Sequence, residues 1–168
     1  MDKRLSTTPP SRIFFKNVRS TAYQWHRDPD SQTDFYLLRK VAKQSPPPTL
    51  FLVIADIWMQ DQAHILLRRS DNSTLPATTT IYWKSGKEKG YFQLEDPSPI
   101  SQYEFALNLY SALLKKYQLE IQFPGEEKTP LFPDQEDQQN YLLSMQDYLR
   151  LTEYKDIDQS LMSQNSLE

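Results

Sequence analysis

The chain has 168 residues, 38 % of them hydrophobic and 12 % aromatic, with a formal net charge of −3, which suits one domain with a packed core rather than a disordered chain. It contains no cysteine, so disulfides, thiolate nucleophiles and sulfur-ligated metals are excluded. Its 3 glycines, Gly86, Gly90 and Gly125, are too few for phosphate-cradling or dinucleotide loops, where the backbone must approach an anion closely.

Residues 1–11 are polar, include Pro9 and Pro10, and are expected to form a flexible lead-in. The start has charge but no apolar stretch of secretory type, so no signal segment is expected and the expected location is cytoplasmic. RIFFKNV reads as a first strand, with Ile13 and Phe15 on one side and Phe14 on the other. HRDPDSQTD concentrates Asp, Pro and Ser and reads as a turn or exposed loop. DFYLLRKVAKQ fits either helix or strand spacing, and the strand is preferred. Ser45–Pro48 is a boundary, because three prolines continue neither ladder nor helix.

LFLVIADIWM, from Leu50 to Met59, is apolar on both sides and rich in β-branched and aromatic residues, the pattern of a strand covered on both faces. It is about half as long as a membrane-spanning helix requires, and Asp56 interrupts it. AHILLRRSD supplies its hairpin partner, and SDNSTLPA is a loop. TTTIYWK and GYFQLE flank SGKEK as a second hairpin, with Gly90 offered for a positive-φ position. SGKEKG lacks the leading glycine, the spacing and the Ser/Thr after lysine of a P-loop.

Beyond EDPSP the period becomes helical. Ser101 is the expected cap with Glu104 as its capping-box partner, and Phe105, Leu109, Ala112 and Leu113 form the apolar stripe. LEIQF is a short further strand. A second helix begins at Asp134 and runs to about Leu151, with Tyr141, Leu142, Met145, Tyr148 and Leu149 as its apolar face. The expected organisation is a flexible segment at 1–11, one α+β domain at 12–154 and a flexible tail or short helix at 155–168. Its fold would be an antiparallel β meander of about five or six strands with two main helices packed on one face. In class and size alone this resembles small bacterial adaptor or secretion-chaperone proteins, and no residues carry over from that likeness.

No sequence motif spells a reaction, a cofactor or a metal, and none of the three is expected. His26, Arg27 and Asp28 adjoin in sequence, but neighbours on a strand do not face one another, and a proton-transfer role needs a third oriented group. Asp28, Asp30 and Asp34 lack the glycine and terminal glutamate of a calcium loop. Asp56 sits in the most apolar run, so it must be paired or have its pKa raised; Arg68 or Arg69 across the hairpin is the expected partner.

The reading preferred is a non-enzymatic adaptor, chaperone or assembly factor that binds another protein. Residues 1–118 carry 16 Lys+Arg against 11 Asp+Glu, and residues 119–168 carry 3 against 11, an asymmetry that accompanies partner binding. Tyr141, Met145 and Tyr148 would supply contact area, Glu136 and Asp137 would steer the encounter, and Trp25 and Arg27 would mark the aromatic sheet surface. The alternatives are nucleic-acid binding by the basic half or a small-ligand pocket lined by Asp56, Trp58 or Trp83. The basic half offers Arg12, Lys16, Arg19, Arg27, Arg39, Lys40, Lys43, Arg68, Arg69, Lys84, Lys87 and Lys89, interleaved with Phe14, Tyr23, Trp25 and Tyr82.

Overall fold

The computed structural model describes residues 2–152; the expected tail at 155–168 lies outside them. The fold is α+β, but its eight strands form two antiparallel four-stranded sheets rather than one meander. The first sheet has the order β1-β2-β3-β4, from β1 (Tyr23–Asp28), β2 (Thr33–Leu38), β3 (Leu50–Ile57) and β4 (Gln62–Arg69). The second has the order β6-β5-β7-β8, from β5 (Thr80–Ser85), β6 (Glu88–Gln93), β7 (Gln118–Gln122) and β8 (Thr129–Pro130). Four α-helices accompany them: α1 (Pro9–Phe14), α2 (Arg39–Ala42), α3 (Pro99–Leu114) and α4 (Gln135–Leu151).

The N-terminal expectations are corrected. RIFFKNV is helical: α1 passes into one π-helical turn, Phe15–Arg19. Pro9 and Pro10 occupy the first helical positions, where a missing N–H costs nothing, and Thr8 and Ser11 form a reciprocal capping box. Nor is the lead-in loose. Leu5, Thr7 and Ser11 are buried, Ser11 donates to the Leu151 carbonyl at 2.6 Å, and Arg4 bonds Asp2 and Glu104. Arg4 holds the Asp2 carboxyl down at about 2.

The ambiguous DFYLLRKVAKQ divides between β2 and the single turn of α2. Gly86, not Gly90, takes positive φ (+60°), at the first position of the two-residue loop between β5 and β6. Gly90 serves close approach instead: a Cβ there would lie 2.6 Å from Cζ2 of Trp83, whose ring stacks on Tyr117 at 4.8 Å. The cap of α3 is Ser98 with Pro99 at the first turn, three residues earlier than expected. Asp134 caps α4 as the sequence indicates.

One core joins both sheets. On the inner face of the first sheet, successive rows read Tyr23–Leu38–Leu52–Leu67 and Trp25–Tyr36–Ile54–Ile65; apart from the half-exposed Trp25, all of these are buried. Phe15 packs edge-on against Tyr36 at 4.9 Å. Helix α4 lies against β3 and β4, and α3 reaches both β4 and β6, where Phe105 meets Phe92 at 5.4 Å. Ile54, Ile65, Leu67, Ile81, Leu109, Ile121 and Met145 are fully buried, each contributing about 1.5–3 kcal/mol of transfer free energy.

The outer edges of the first sheet differ. Along β4, Ser6 bridges Gln62, the Gln102 side chain accepts the Leu67 N–H at 2.8 Å, and Thr74 bridges Arg68. Along β1, Arg39 reaches the carbonyls of Thr21 and Tyr23, and no strand pairs with the outer side of Gln24–Asp28 among the described residues.

Candidate functional site

The third row of the first sheet carries three charged residues: Arg27, Asp34 and Asp56 lie side by side across β1 to β3, with Ala63 closing the row on β4. Both carboxylates are sealed, Asp34 at 1 % and Asp56 at 2 % exposure. Arg27 grips Asp34 with two hydrogen bonds, Nε to Oδ1 at 2.7 Å and Nη2 to Oδ2 at 3.0 Å. That bidentate geometry fixes the guanidinium plane. Trp25 and Trp58 flank it, with ring centroids 5.4 and 5.6 Å from the guanidinium carbon.

Asp56 is held differently. Its partner is Arg12 of α1 at 3.5 Å, too long for a hydrogen bond, and its Oδ1 has no other partner. Arg12 also bonds Thr7 Oγ1 at 2.6 Å and Asp61 at 3.1 Å. Burial pushes the Asp56 pKa up; Arg12 and Lys16 oppose this, and Asp34 reinforces it. Burial, with Asp34 and Asp56 behind it, also raises the Tyr36 phenol. The expected partners are wrong: Arg68 pairs with Phe51 and Arg69 with Leu50, at the opposite end of β3.

The rim of this corner is open to solvent. Trp25 is 53 % exposed, and Met59, Ile13 and Val18, on the flanking segments, are also exposed. Arg27 presents about half of its side chain to solvent. The geometry places an indole beside a doubly bonded guanidinium at the open edge of a sheet, with the two carboxylates behind them.

The other expected contact residues divide. Tyr141, Met145 and Tyr148 are core residues at 3 %, 0 % and 0 % exposure. Tyr141 donates to the Ala106 carbonyl at 2.8 Å and Tyr148 to that of Ala63 at 2.8 Å. They cover the sheet, so they present no surface to a partner. Glu136 is exposed in the first turn of α4, and Asp137, half-buried, accepts from Gln44 Nε2 at 3.0 Å.

His26 and His64 stand on the same outer-face row but three strand spacings apart, roughly 14 Å. Asp28 instead accepts from Ser31 and the Asp30 N–H within the turn. No cluster of three or more metal-ligating residues occurs among the described residues. Trp83 belongs to the second sheet, whereas Asp56 lies near the end of β3 in the first and Trp58 follows that strand. A notch between α4 and β3, lined by Pro48, Leu50, Asp137, Asn140 and Ser144, encloses about 10 Å³, room for one water molecule. No described helix is long and apolar enough to cross a membrane.

The class is therefore an α+β protein with two antiparallel sheets around a shared core. No family model, curated protein or solved structure matches the chain.

Proposed function

We propose that the protein is a non-enzymatic adaptor, chaperone or assembly factor that takes an extended segment of another protein along β1, with Trp25 and Arg27 as anchors. One observation carries the reading: a half-exposed tryptophan and a doubly bonded arginine stand side by side on an edge strand that has no outer neighbour among the described residues. Edge strands recognise extended peptides through backbone hydrogen bonds, with alternate side chains setting specificity. Trp and Arg are the residue types that most often dominate such contacts, and one already immobilised loses little entropy on binding. Asp34 is a positioning residue here, since it orients Arg27 without reaching solvent. Glu136 on α4 lies apart from this edge and contributes long-range charge at most.

The test compares proteins co-purified from the native host by the wild-type chain with those retained by Trp25→Ala, Asp34→Asn and Glu136→Lys. A direct partner should be lost at least tenfold with Trp25→Ala and weakened by Asp34→Asn, with circular dichroism unchanged. Full retention by Trp25→Ala would discard the β1 site. Loss confined to Glu136→Lys would move the contact to α4.

A further inference from the structure

The second sheet leaves one face bare. Alternation along its strands sends Ile81, Trp83, Phe92, Leu119 and Ile121 inward, while Tyr82, Lys84, Lys89, Tyr91 and Gln93 point to the other side. Tyr91 is 68 % exposed at mid-strand, the most exposed large hydrophobic side chain among the described residues. It pairs across the strands with Tyr82 at 6.1 Å. Lys128 places its ammonium 3.8 Å from the Tyr82 centroid, so it belongs to the same face. Lys84, Lys87, Lys89 and Lys128 are exposed and enter no ion pair among the described residues. Four arginines of the basic half behave otherwise: Arg12, Arg19, Arg27 and Arg69 are committed to carboxylates, while Arg39 and Arg68 bond carbonyls and a hydroxyl.

We infer that this face binds single-stranded nucleic acid, with Tyr91 as the stacking platform and Lys84, Lys89 and Lys128 as phosphate contacts. Charge is the first argument: on a chain of net −3, three lysines gather on one sheet face against Glu120 alone on β7. Shape is the second. The face presents an exposed ring on an open sheet surface, on which bases stack whatever their sequence. Tyr82 supports Tyr91 from the neighbouring strand and is itself fixed by donating to Gln122 Oε1 at 3.0 Å. Lys87 at the hairpin tip lengthens the cationic track beyond the strands. This surface is separate from the β1 edge, so its test and the partner test succeed or fail independently.

Fluorescence anisotropy of labelled oligothymidylate and oligouridylate, titrated with the full chain at low salt, reads the prediction directly. Log affinity should fall with log salt with a slope of about −2 for three phosphate contacts, and Lys84→Gln or Lys89→Gln should each flatten it by about 0.7. Tyr91→Ala should weaken binding at least about fivefold, Tyr91→Phe should keep it, and Trp25→Ala should leave it unchanged. Absence of binding at low salt would overturn the inference, as would a Tyr91→Ala variant that binds like wild type. Polyglutamate competing as well as the oligonucleotide would indicate an acidic protein ligand and refute it. Dissociation of a dimer by Tyr91→Ala, without oligonucleotide binding, would give the face to a second copy of the chain and refute it too.

Discussion

Replacing Arg12 by methionine keeps most of the stem but leaves Asp56 without its cation. Breaking a buried pair in this way typically costs about 3–5 kcal/mol. Two features lower the figure here. The wild-type contact is a 3.5 Å approach without a hydrogen bond, and the stranded carboxylate can escape by taking up a proton. Escape sets a ceiling: protonating an aspartate of ordinary pKa costs about 4 kcal/mol at pH 7 and about 1.5 kcal/mol at pH 5. The expected loss is therefore about 2–3 kcal/mol at pH 7, shrinking to about 1 kcal/mol at pH 5. The sign follows from the raised folded-state pKa of Asp56: stability is fully present below the unfolded value and is lost as pH rises through the folded one. Urea unfolding followed by far-ultraviolet circular dichroism at pH 5, 6, 7 and 8 measures the difference. The double variant Arg12→Met/Asp56→Asn should recover much of the loss at pH 7. A pH-independent loss, or no recovery, would show that Arg12 acts through Thr7 and Asp61 rather than through the buried charge.

Gly90→Ala drives a methyl group into Trp83 and should cost roughly 1–3 kcal/mol while shifting tryptophan emission as the ring leaves Tyr117; an unchanged urea midpoint would refute the close approach. Tyr148→Phe removes the hydroxyl that faces the carbonyls of Ala63 and Arg4, at a cost of about 1 kcal/mol. It should also speed amide exchange in residues 2–8, and unchanged exchange there would refute the tie. Asp137→Lys should lower the urea midpoint more than Glu136→Lys, since among the described residues Asp137 accepts a side-chain hydrogen bond, from Gln44, and Glu136 none; equal midpoints would show that both act only through the helix dipole. The Arg12→Met loss should be smaller in an Asp34→Asn background, because Asp34 no longer repels Asp56; strictly additive losses in a double-mutant cycle would contradict that coupling.

Local patterns made much of the fold legible. Leu50–Ile57, the β5–β6 hairpin and α4 all carry their period and punctuation within a few residues, and Asp134 caps its helix in place. The N-terminus misled because the same residues have two grammars. Pro9 and Pro10 break a strand but open a helix once Thr8 caps it, and six residues are too few to display a helical period. Division into two sheets was hidden because alternation identifies a strand's faces and not its neighbours. The pairing of β5 with β7 spans the whole of α3. Helix α4 misled in another way: an apolar stripe looks the same whether it covers its own sheet or waits for a partner.

The polar corner shows which signal was available and which was not. Had Asp28–Thr33 been read as the closing pair of a hairpin, the pairing of Arg27 with Asp34 would have followed by counting, one residue further out on each strand. Arg12 and Trp58 carry no such local clue, since the fold of the N-terminal segment brings the first and the β3–β4 turn the second. Two carboxylates in adjacent strands would repel and expel each other unless cations arrive from both sides. Arg27 comes from the solvent edge and Arg12 from the N-terminal helix, so the row ties the outermost strand to the first helix through β2 and β3. That arrangement explains why an edge strand bearing a half-exposed tryptophan is held in fixed register: Asp34 can be buried only while Arg27 stands opposite it, and a one-residue slip would turn that charge outward and leave the other stranded. The register of β1 is thus a consequence of the sealed charges behind it.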